Sequence, residues 1–424
     1  MVSTEELQMK TVRLIIVGAG DRGTVYASYA KEHPEKVKIV GVAEPRDFYR
    51  EKMMKEHDIP EVSAFTDWKD LAKEEKFADA VVIATQDHMH RDPAIKLAKK
   101  GYHILLEKPM APDEKGCRDI VKAVKDKDII FAVGHVLRYT RYTKKLKEIL
   151  DSGRIGDVIS LQRLEPVGYW HQAHSFVRGN WRKESESSFM LLTKSCHDLD
   201  WIRYIMGKKC KTVSSFGSLT HFKKENKPAN TGMNCLDCTY EPLCPYSAKK
   251  IYLDFLTRGN TGWPVSVITS DTTKGGIIRA IREGPYGRCV YDCDNDVVDH
   301  QEVIMEFEGG KTASFTMTAF TKARQRETRI FGTRGEIYGN GTKIQVYEFL
   351  TGKSVILDTS AEDPSSLADH GGGDYGLIHA FVEAVAENDP SKILSGPDET
   401  LESHLMTFAA EKARIEGKII DIKP

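Results

Sequence analysis

The sequence predicts two joined folds. An α/β domain on a parallel sheet occupies residues 1–134, and an α+β domain with a large, mostly antiparallel open sheet occupies 135–424. Three observations carry this reading. The chain has 424 residues, more than one hydrophobic core ordinarily serves. Its first third alternates short, wholly apolar runs with helical segments, as a parallel sheet covered on both faces requires. After Arg138 apolar and polar positions alternate and glycine turns separate the runs, as in antiparallel strands.

The elements follow in order. "VRLIIVGAGDRG" is a strand and a glycine-rich turn, and "TVYASYAKEH" continues as a helix. "VKIVGVAEP", "FADAVVIAT", "YHILLEKP" and "IIFAVGH" are further strands, with "DPAIKLAKKG" and "CRDIVKAVKDKD" as helices between them. In the second domain "VISLQRLEPV" is an alternating strand, and "EVIMEFEGGKTASFTMTAF" is a hairpin turning at Gly309-Gly310. "ETRIFGTRGEIYG" and "KIQVYEFLTGKSVILDT" are short strands, and helices are expected near 188–206, 374–388 and 398–416. The irregular segment 222–288, rich in cysteines and Gly-Asn turns, reads as an insertion.

Bulk properties exclude several classes. A net charge of −1 offers no field to nucleic acid or an anionic membrane. No apolar run approaches the roughly 20 residues of a membrane span. The start "MVSTEELQMK" lacks the pattern of a signal peptide, and eight cysteines without one suggest reduced thiols and a cytoplasmic protein.

Chemistry begins at Gly18-Ala19-Gly20-Asp21-Arg22-Gly23. Between a strand and a helix, Gly18 permits the tight turn and Gly20 lets a pyrophosphate approach the backbone. Gly23 lets helix and strand pack closely. Glu44 stands where an acid would accept ribose hydroxyls and repel a 2′-phosphate, which favours NAD over NADP. Arg22 and Arg46 lie near enough to weaken that preference. At the same sheet edge come "ATQDHMH", with Thr85 and His90, and "LLEKP", with Glu107, Lys108 and Pro109. Ligands bind beyond the carboxyl ends of such strands. Lys108 is therefore aimed at the cofactor side, where burial and a cationic nicotinamide would favour its unprotonated form and let it exchange a proton with a substrate hydroxyl.

The glycine turn, Glu44, Thr85, His90 and above all "EKP" at 107–109 resemble the Gfo/Idh/MocA family, the glucose-fructose oxidoreductase and inositol dehydrogenase group. "DSGRIGDV" at 151–158 resembles that family's link into its second domain. The resemblance implies that Lys108 contacts nicotinamide and substrate and serves in catalysis, often before a cis proline. It implies that His197, in "FMLLTKSCHDLDWIRYIMG", is the catalytic or hydroxyl-binding histidine. Many members carry aspartate four residues before it, where this chain has Thr193, so a simple Asp–His relay is in doubt. Lys194 is expected to take the polar contact. Lys108 is the expected general base, with His197 and Lys194 holding the reacting hydroxyl and its neighbour.

The stretch "EPVGYWHQAHSFVRGNWR" interleaves aromatics with planar donors, as a sugar or polyol demands. Tyr169, His171, His174, Arg178 and Trp181 are candidate substrate contacts, with His135 and Arg138 at the domain junction and His370 and Asp374 in "HGGGDYG". His171 and His174 lack a third ligand at suitable spacing, so no catalytic metal is assigned. "CLDCTYEPLCP" places Cys235, Cys238 and Cys244 together, and "CVYDC" adds Cys289 and Cys293. Cys-x2-Cys is a zinc ligand pair, but the third spacing is irregular and the fourth ligand open, so structural zinc is left uncommitted. Cys117, Cys196 and Cys210 read as packing residues.

Three functions fit. The first is an NAD-dependent oxidoreductase taking a hydroxyl of a sugar, inositol or related polyol to a ketone. The second, also implied by the resemblance, is a glycosidase using NAD transiently: oxidation, elimination, addition of water, re-reduction. The third, weaker, is a nucleotide-sensing regulator without catalysis, which has no need of a proton-transfer lysine. A homo-oligomer, dimer or tetramer, is expected through the open face of the second sheet.

Overall fold

The computed structural model describes residues 10–360 and 369–422. Six strands form the first sheet: β1 (Val12–Val17), β2 (Val37–Ala43), β3 (Ala64–Phe65), β4 (Ala80–Ile83), β5 (His103–Leu106) and β6 (Phe131–Val133). All run parallel, in the order β3-β2-β1-β4-β5-β6. Every residue of β4 and β6 is buried, which is why these runs show no alternation. The order reverses between β1 and β4, the position at which open α/β sheets bind ligands.

The second sheet has nine strands: β7 (Val158–Pro166), β8 (Cys210–Ser218), β9 (His300–Phe307), β10 (Thr312–Thr318), β11 (Glu327–Gly332), β12 (Gly335–Gly339), β13 (Lys343–Glu348), β14 (Lys353–Asp358) and β15 (Ile420–Asp421). Their order is β14-β13-β12-β11-β7-β10-β9-β8-β15, with β7 and β10 parallel and the other pairs antiparallel. The β9–β10 hairpin turns where expected, with Gly309 and Gly310 at φ +78° and +73°, backbone that favours glycine. Strand β8 carries no pattern that would announce it. Its buried positions are Cys210, Val213 and Ser215, only one of them strongly apolar.

The three expected helices are Met190–Met206, Asp369–Glu387 and Pro397–Glu416. The second begins irregularly, with His370, Gly371 and Gly372 all at positive φ. Leu191, Leu199, Trp201 and Ile202 of Met190–Met206 pack on Val303, Met305, Phe307 and Phe315 of the second sheet. Leu377, Ile378 and Phe381 return to the first sheet and join Leu14, Ile16 and Val42 in one core. The segment 222–288 builds its own cluster from Phe222, Tyr246, Tyr252, Ile277 and Ile281, attached through Ala173 and Val177.

Arg138 differs from its sequence assignment. It does not line a substrate cleft but lies 3% exposed within the protein. Its Nε and Nη2 each donate to an Asp200 carboxylate oxygen at 2.7 Å, and Nη1 donates to the Leu394 carbonyl. Burial alone would push the Asp200 carboxyl up; the Arg138 guanidinium and His135 hold it below its ordinary value. A bidentate pair of this kind needs both members. Asp200→Ala is expected to lower the unfolding free energy by about 3–5 kcal/mol in urea titrations, because it leaves Arg138 charged and unpaired. Replacing both residues by Met and Leu should restore most of that loss.

Candidate active site

The glycine turn is built by contact. A Cβ on Gly18, at φ +91°, would stand 2.6 Å from the Ala84 carbonyl oxygen, and one on Gly23 would stand 2.0 Å from the Gly18 oxygen. The helix Asp21–Glu32 starts at Gly20 with no side-chain cap, and Asp21 is exposed in its first turn. Glu44, 2% exposed at the end of β2, accepts from the Ala19 N–H at 2.9 Å and from Arg46 Nε at 2.7 Å and Nη2 at 3.0 Å. Burial would push its carboxyl up, and these donors bring it below the usual range. An uncapped helix start, a turn no Cβ can enter and a buried acid fit a dinucleotide. A ribose diol would share Glu44 with Arg46.

Arg22 is engaged by two carboxylates and a phenol. Its Nε donates to Glu107 at 2.7 Å, and its Nη2 donates to Asp374 at 2.5 Å and to the Tyr26 hydroxyl at 2.7 Å. His370 meets the second Asp374 oxygen at 2.7 Å. Asp374, held at about 2 by Arg22 and His370 against its burial, thus belongs to a structural network with Glu107, as does Arg22. Sequence spacing cannot reveal this, since Asp374 lies 352 residues from Arg22.

The "EKP" segment is held at each main-chain group around Lys108. Glu107 Oε2 accepts from the Lys108 N–H at 2.9 Å, while Oε1 accepts from Arg22 and the Tyr26 hydroxyl. His90 Nδ1 donates to the Pro109 carbonyl at 2.7 Å, and its Nε2 lies 3.1 Å from the Thr85 carbonyl. His404 Nε2 accepts from the Met110 N–H at 2.9 Å. The Lys108–Pro109 peptide is cis. His90 therefore ties two strand ends together rather than facing a cofactor, and the Thr85 hydroxyl turns to the Met89 carbonyl at 3.4 Å. Lys108 itself leaves the first sheet. Its Nζ donates to the Thr193 carbonyl of the helix Met190–Met206 at 2.7 Å.

That contact brings Lys108 to a buried charged cluster. Lys194 Nζ lies 3.1 Å from Glu165 Oε1. Arg326 Nε lies 2.7 Å from Glu165 Oε2 and 2.8 Å from Asp198 Oδ1, and its Nη2 donates to His197 Nε2 at 2.5 Å. Arg163 donates to Asp198 at 2.8 Å and stacks on Trp201 at 3.8 Å. Burial and then the Arg326 charge push His197 far down, so the ring is neutral. With Nε2 accepting, the proton sits on Nδ1, which has no partner among the described residues. Burial also lowers Lys194, opposed by Glu165. The Thr193 hydroxyl bonds back to Met190 and Phe189 carbonyls, so this residue meets Lys108 through its backbone only.

Of the aromatic stretch, His171 joins this cluster. It is held neutral by burial and by the charges of Lys194, Arg326 and Lys108, with Trp263 edge-on at 4.9 Å. Trp181 lies beside Asp87, whose carboxyl is pushed up by burial. Tyr169 is 39% exposed and packs on Tyr246 at 6.3 Å. His174 and Arg178 are corrections to the sequence reading. His174 is buried, bonded to the Tyr252 hydroxyl at 2.8 Å and stacked on Tyr286. Arg178 donates to the Arg288 and Tyr246 carbonyls. His135 is fully buried, 3.7 Å from Asp200 and beside His404, and does not line a cleft.

Sequence reasoning passed over Arg326, Glu165, Asp198, Arg163, Asp87 and Trp263. A signal existed for two of them. Arg163 and Glu165 share the inward parity of Leu161 on β7, and charges on an inward face need partners.

Family models match most of the chain. An oxidoreductase family with an NAD-binding Rossmann fold matches residues 12–135, and its C-terminal alpha/beta domain matches 147–422. The chain belongs to the Gfo/Idh/MocA family. Among its relatives, the 2,7-anhydro-N-acetylneuraminate hydratase of Escherichia coli (strain K12) is 27% identical over 267 residues, 62% of this chain and 66% of that protein. The myo-inositol 2-dehydrogenase of Thermotoga maritima is 26% identical over 210 residues, 49% of this chain and 59% of that protein. The chain thus spans about three fifths to two thirds of these two relatives. A levoglucosan dehydrogenase in complex with NADH and levoglucosan superposes with a TM-score of 0.72 at 18% identity, covering 98% of this chain and 100% of that one. This likeness shows the shared Gfo/Idh/MocA fold.

The neutral histidines make a pH prediction. Burial holds His135 and His174 at about 3 and His404 at about 4, against an ordinary 6.5. The unfolded chain takes up these protons near 6.5 and the folded chain does not. The stability is fully present above that pH and is lost as pH falls towards 4 and then 3. Urea midpoints should fall from pH 7.5 to 5, and His404→Gln should flatten the dependence by about 1.4 kcal/mol per pH unit.

Proposed function

We propose that this Gfo/Idh/MocA protein is an NAD-dependent oxidoreductase that converts a hydroxyl of a sugar, inositol or related polyol to a ketone. The observation that carries it is Lys108, reaching from the dinucleotide sheet to the helix that bears Lys194 and His197. In this reading Lys108 Nζ removes the hydroxyl proton, and His197 Nδ1–H and Lys194 Nζ hold the oxygens of the reacting carbon and its neighbour. The nicotinamide, when bound, supplies the hydride acceptor. Gly18, Gly20 and Gly23 admit the dinucleotide, and Glu44 favours NAD over NADP, with Arg46 moderating the preference. His171 and Trp181 face the sugar.

The cluster is positive on balance, since Lys108, Arg163, Lys194 and Arg326 meet Asp87, Glu165 and Asp198. That balance favours sugars bearing a carboxylate. The second reading, glycoside cleavage through transient oxidation, draws support from the hydratase relative and from neutral His171, which can serve an additional proton transfer. A cytoplasmic location agrees with eight free thiols. Among the described residues no helix is long and apolar enough to cross a membrane. A homo-oligomer agrees with Phe216 and Ile304, which are exposed on neighbouring strands of the second sheet.

Incubation with NAD and a panel of neutral sugars, sugar acids and aryl glycosides separates the readings. Net NADH formation, greatest with the acids, is the expected result. Aglycone release without net NADH selects the second reading, and NAD binding with neither signal overturns both. Lys108→Ala should lower kcat/KM by about 10²–10⁴ while NAD affinity stays within a few-fold. Near-normal turnover in that variant would remove Lys108 from the mechanism.

A further inference from the structure

We propose that Cys235, Cys238, Cys244 and Cys289 form a structural zinc site that fastens the 222–288 segment over the candidate active site. The four thiols, drawn from two separate stretches, line one cavity of about 20 Å³ together with Arg178. Such a volume admits one water-sized or ion-sized particle. The fourth ligand that spacing left open is Cys289, because Cys293 turns away to the Cys289 carbonyl at 3.2 Å.

The backbone brings the ligands together. Asn234 and Arg288 form an antiparallel bridge, with Cys235 N–H donating to Gly287 and Cys289 N–H to Met233, both at 2.8 Å. Each sulfur is also met by an N–H. Gly232 donates to Cys238 at 3.2 Å and Arg178 Nη2 to Cys235 at 3.5 Å, while the amides of Tyr246 and Tyr291 face Cys244 and Cys289. Burial disfavours the thiolates of Cys244 and Cys289 while no metal is bound, the N–H groups oppose that, and such partners orient metal ligands.

Arg178 supplies the independent observation. It is 1% exposed, its hydrogen-bond partners are two carbonyls and the Cys235 sulfur, and its Nη1 has none among the described residues. A guanidinium buried without a carboxylate is strongly unfavourable. Zn²⁺ with four thiolates carries a net charge of −2, which more than offsets the single positive charge of Arg178. Loading releases the four thiol protons as four Zn–S bonds form, with no redox change. Four soft thiolates select zinc over hard cations. As the side chains stand, no three ligating groups among the described residues converge closely enough to hold an ion, so loading requires the four thiols to turn towards the cavity that they line. The site would steady Trp263, which packs on His171 at 4.9 Å and His174 at 5.5 Å.

The test uses the full chain from zinc-supplemented culture, dialysed against metal-free buffer. Elemental analysis should find about one zinc per chain, released as a mercurial reagent titrates the thiols. Exchange with Co²⁺ should give thiolate-to-cobalt charge-transfer bands and the strong visible bands of a tetrahedral site. Cys238→Ser and Cys244→Ser should each lower zinc content about tenfold while NAD affinity stays within about threefold, which certifies a folded first domain. Less than about 0.1 metal per chain in the unaltered protein, or a disulfide among the four cysteines, overturns the proposal. Iron in place of zinc overturns the metal assigned.

Discussion

The hydrogen bond from Lys108 Nζ to the Thr193 carbonyl is the contact on which the site depends, because it joins the tip of one sheet to a helix packed on the other. A lysine has four rotatable bonds and a strong preference for water. Holding one between two domains takes a rigid base. Glu107, His90 and His404 provide it by engaging the Lys108 amide, the Pro109 carbonyl and the Met110 amide. Those three side chains come from a strand end, a turn and the final long helix. The fold therefore converges on three consecutive residues.

The same logic explains the number of buried charges. Each of Arg138, Arg163 and Arg326 sits in a carboxylate fork or cluster, and none is surplus to packing. Ion pairs this deep add little net stability over apolar residues of similar size, but removing one partner is severe. Their value is geometric. Arg326 fixes which nitrogen of His197 carries the proton, and Asp198 fixes Arg326 from the other side. Neutral histidines follow first from burial and then from the same crowding of cations, and they set the acid limit of the fold.

Much of this was legible in the sequence, for a physical reason. The glycine turn, Glu44 and "EKP" act through local backbone geometry, which short motifs encode. The parallel sheet was legible because wholly buried strands are wholly apolar. Strand β8 was not, since its inward residues are a cysteine, a valine and a serine. Nor could one arginine be told from another. Arg22, Arg138 and Arg178 look like anion or hydroxyl binders until their distant partners are seen, and Arg326 looks like a surface residue until Glu165 and Asp198 are placed beside it.

Thr193 is a departure from the family pattern whose side chain the site does not use. A threonine cannot relay a proton as an aspartate would, and its hydroxyl here is bonded within its own helix turn. Lys108 reads the carbonyl of this residue, a group every amino acid carries. The negative charge that an aspartate would bring is supplied by Glu165 and Asp198, which reach the site through Lys194 and Arg326. An arginine donating to His197 Nε2 makes that ring a hydrogen-bond donor at Nδ1 and disqualifies Nε2 as a base. In the proposed mechanism the proton leaving the substrate then passes to another group, and Lys108 is the one aimed there from the dinucleotide side.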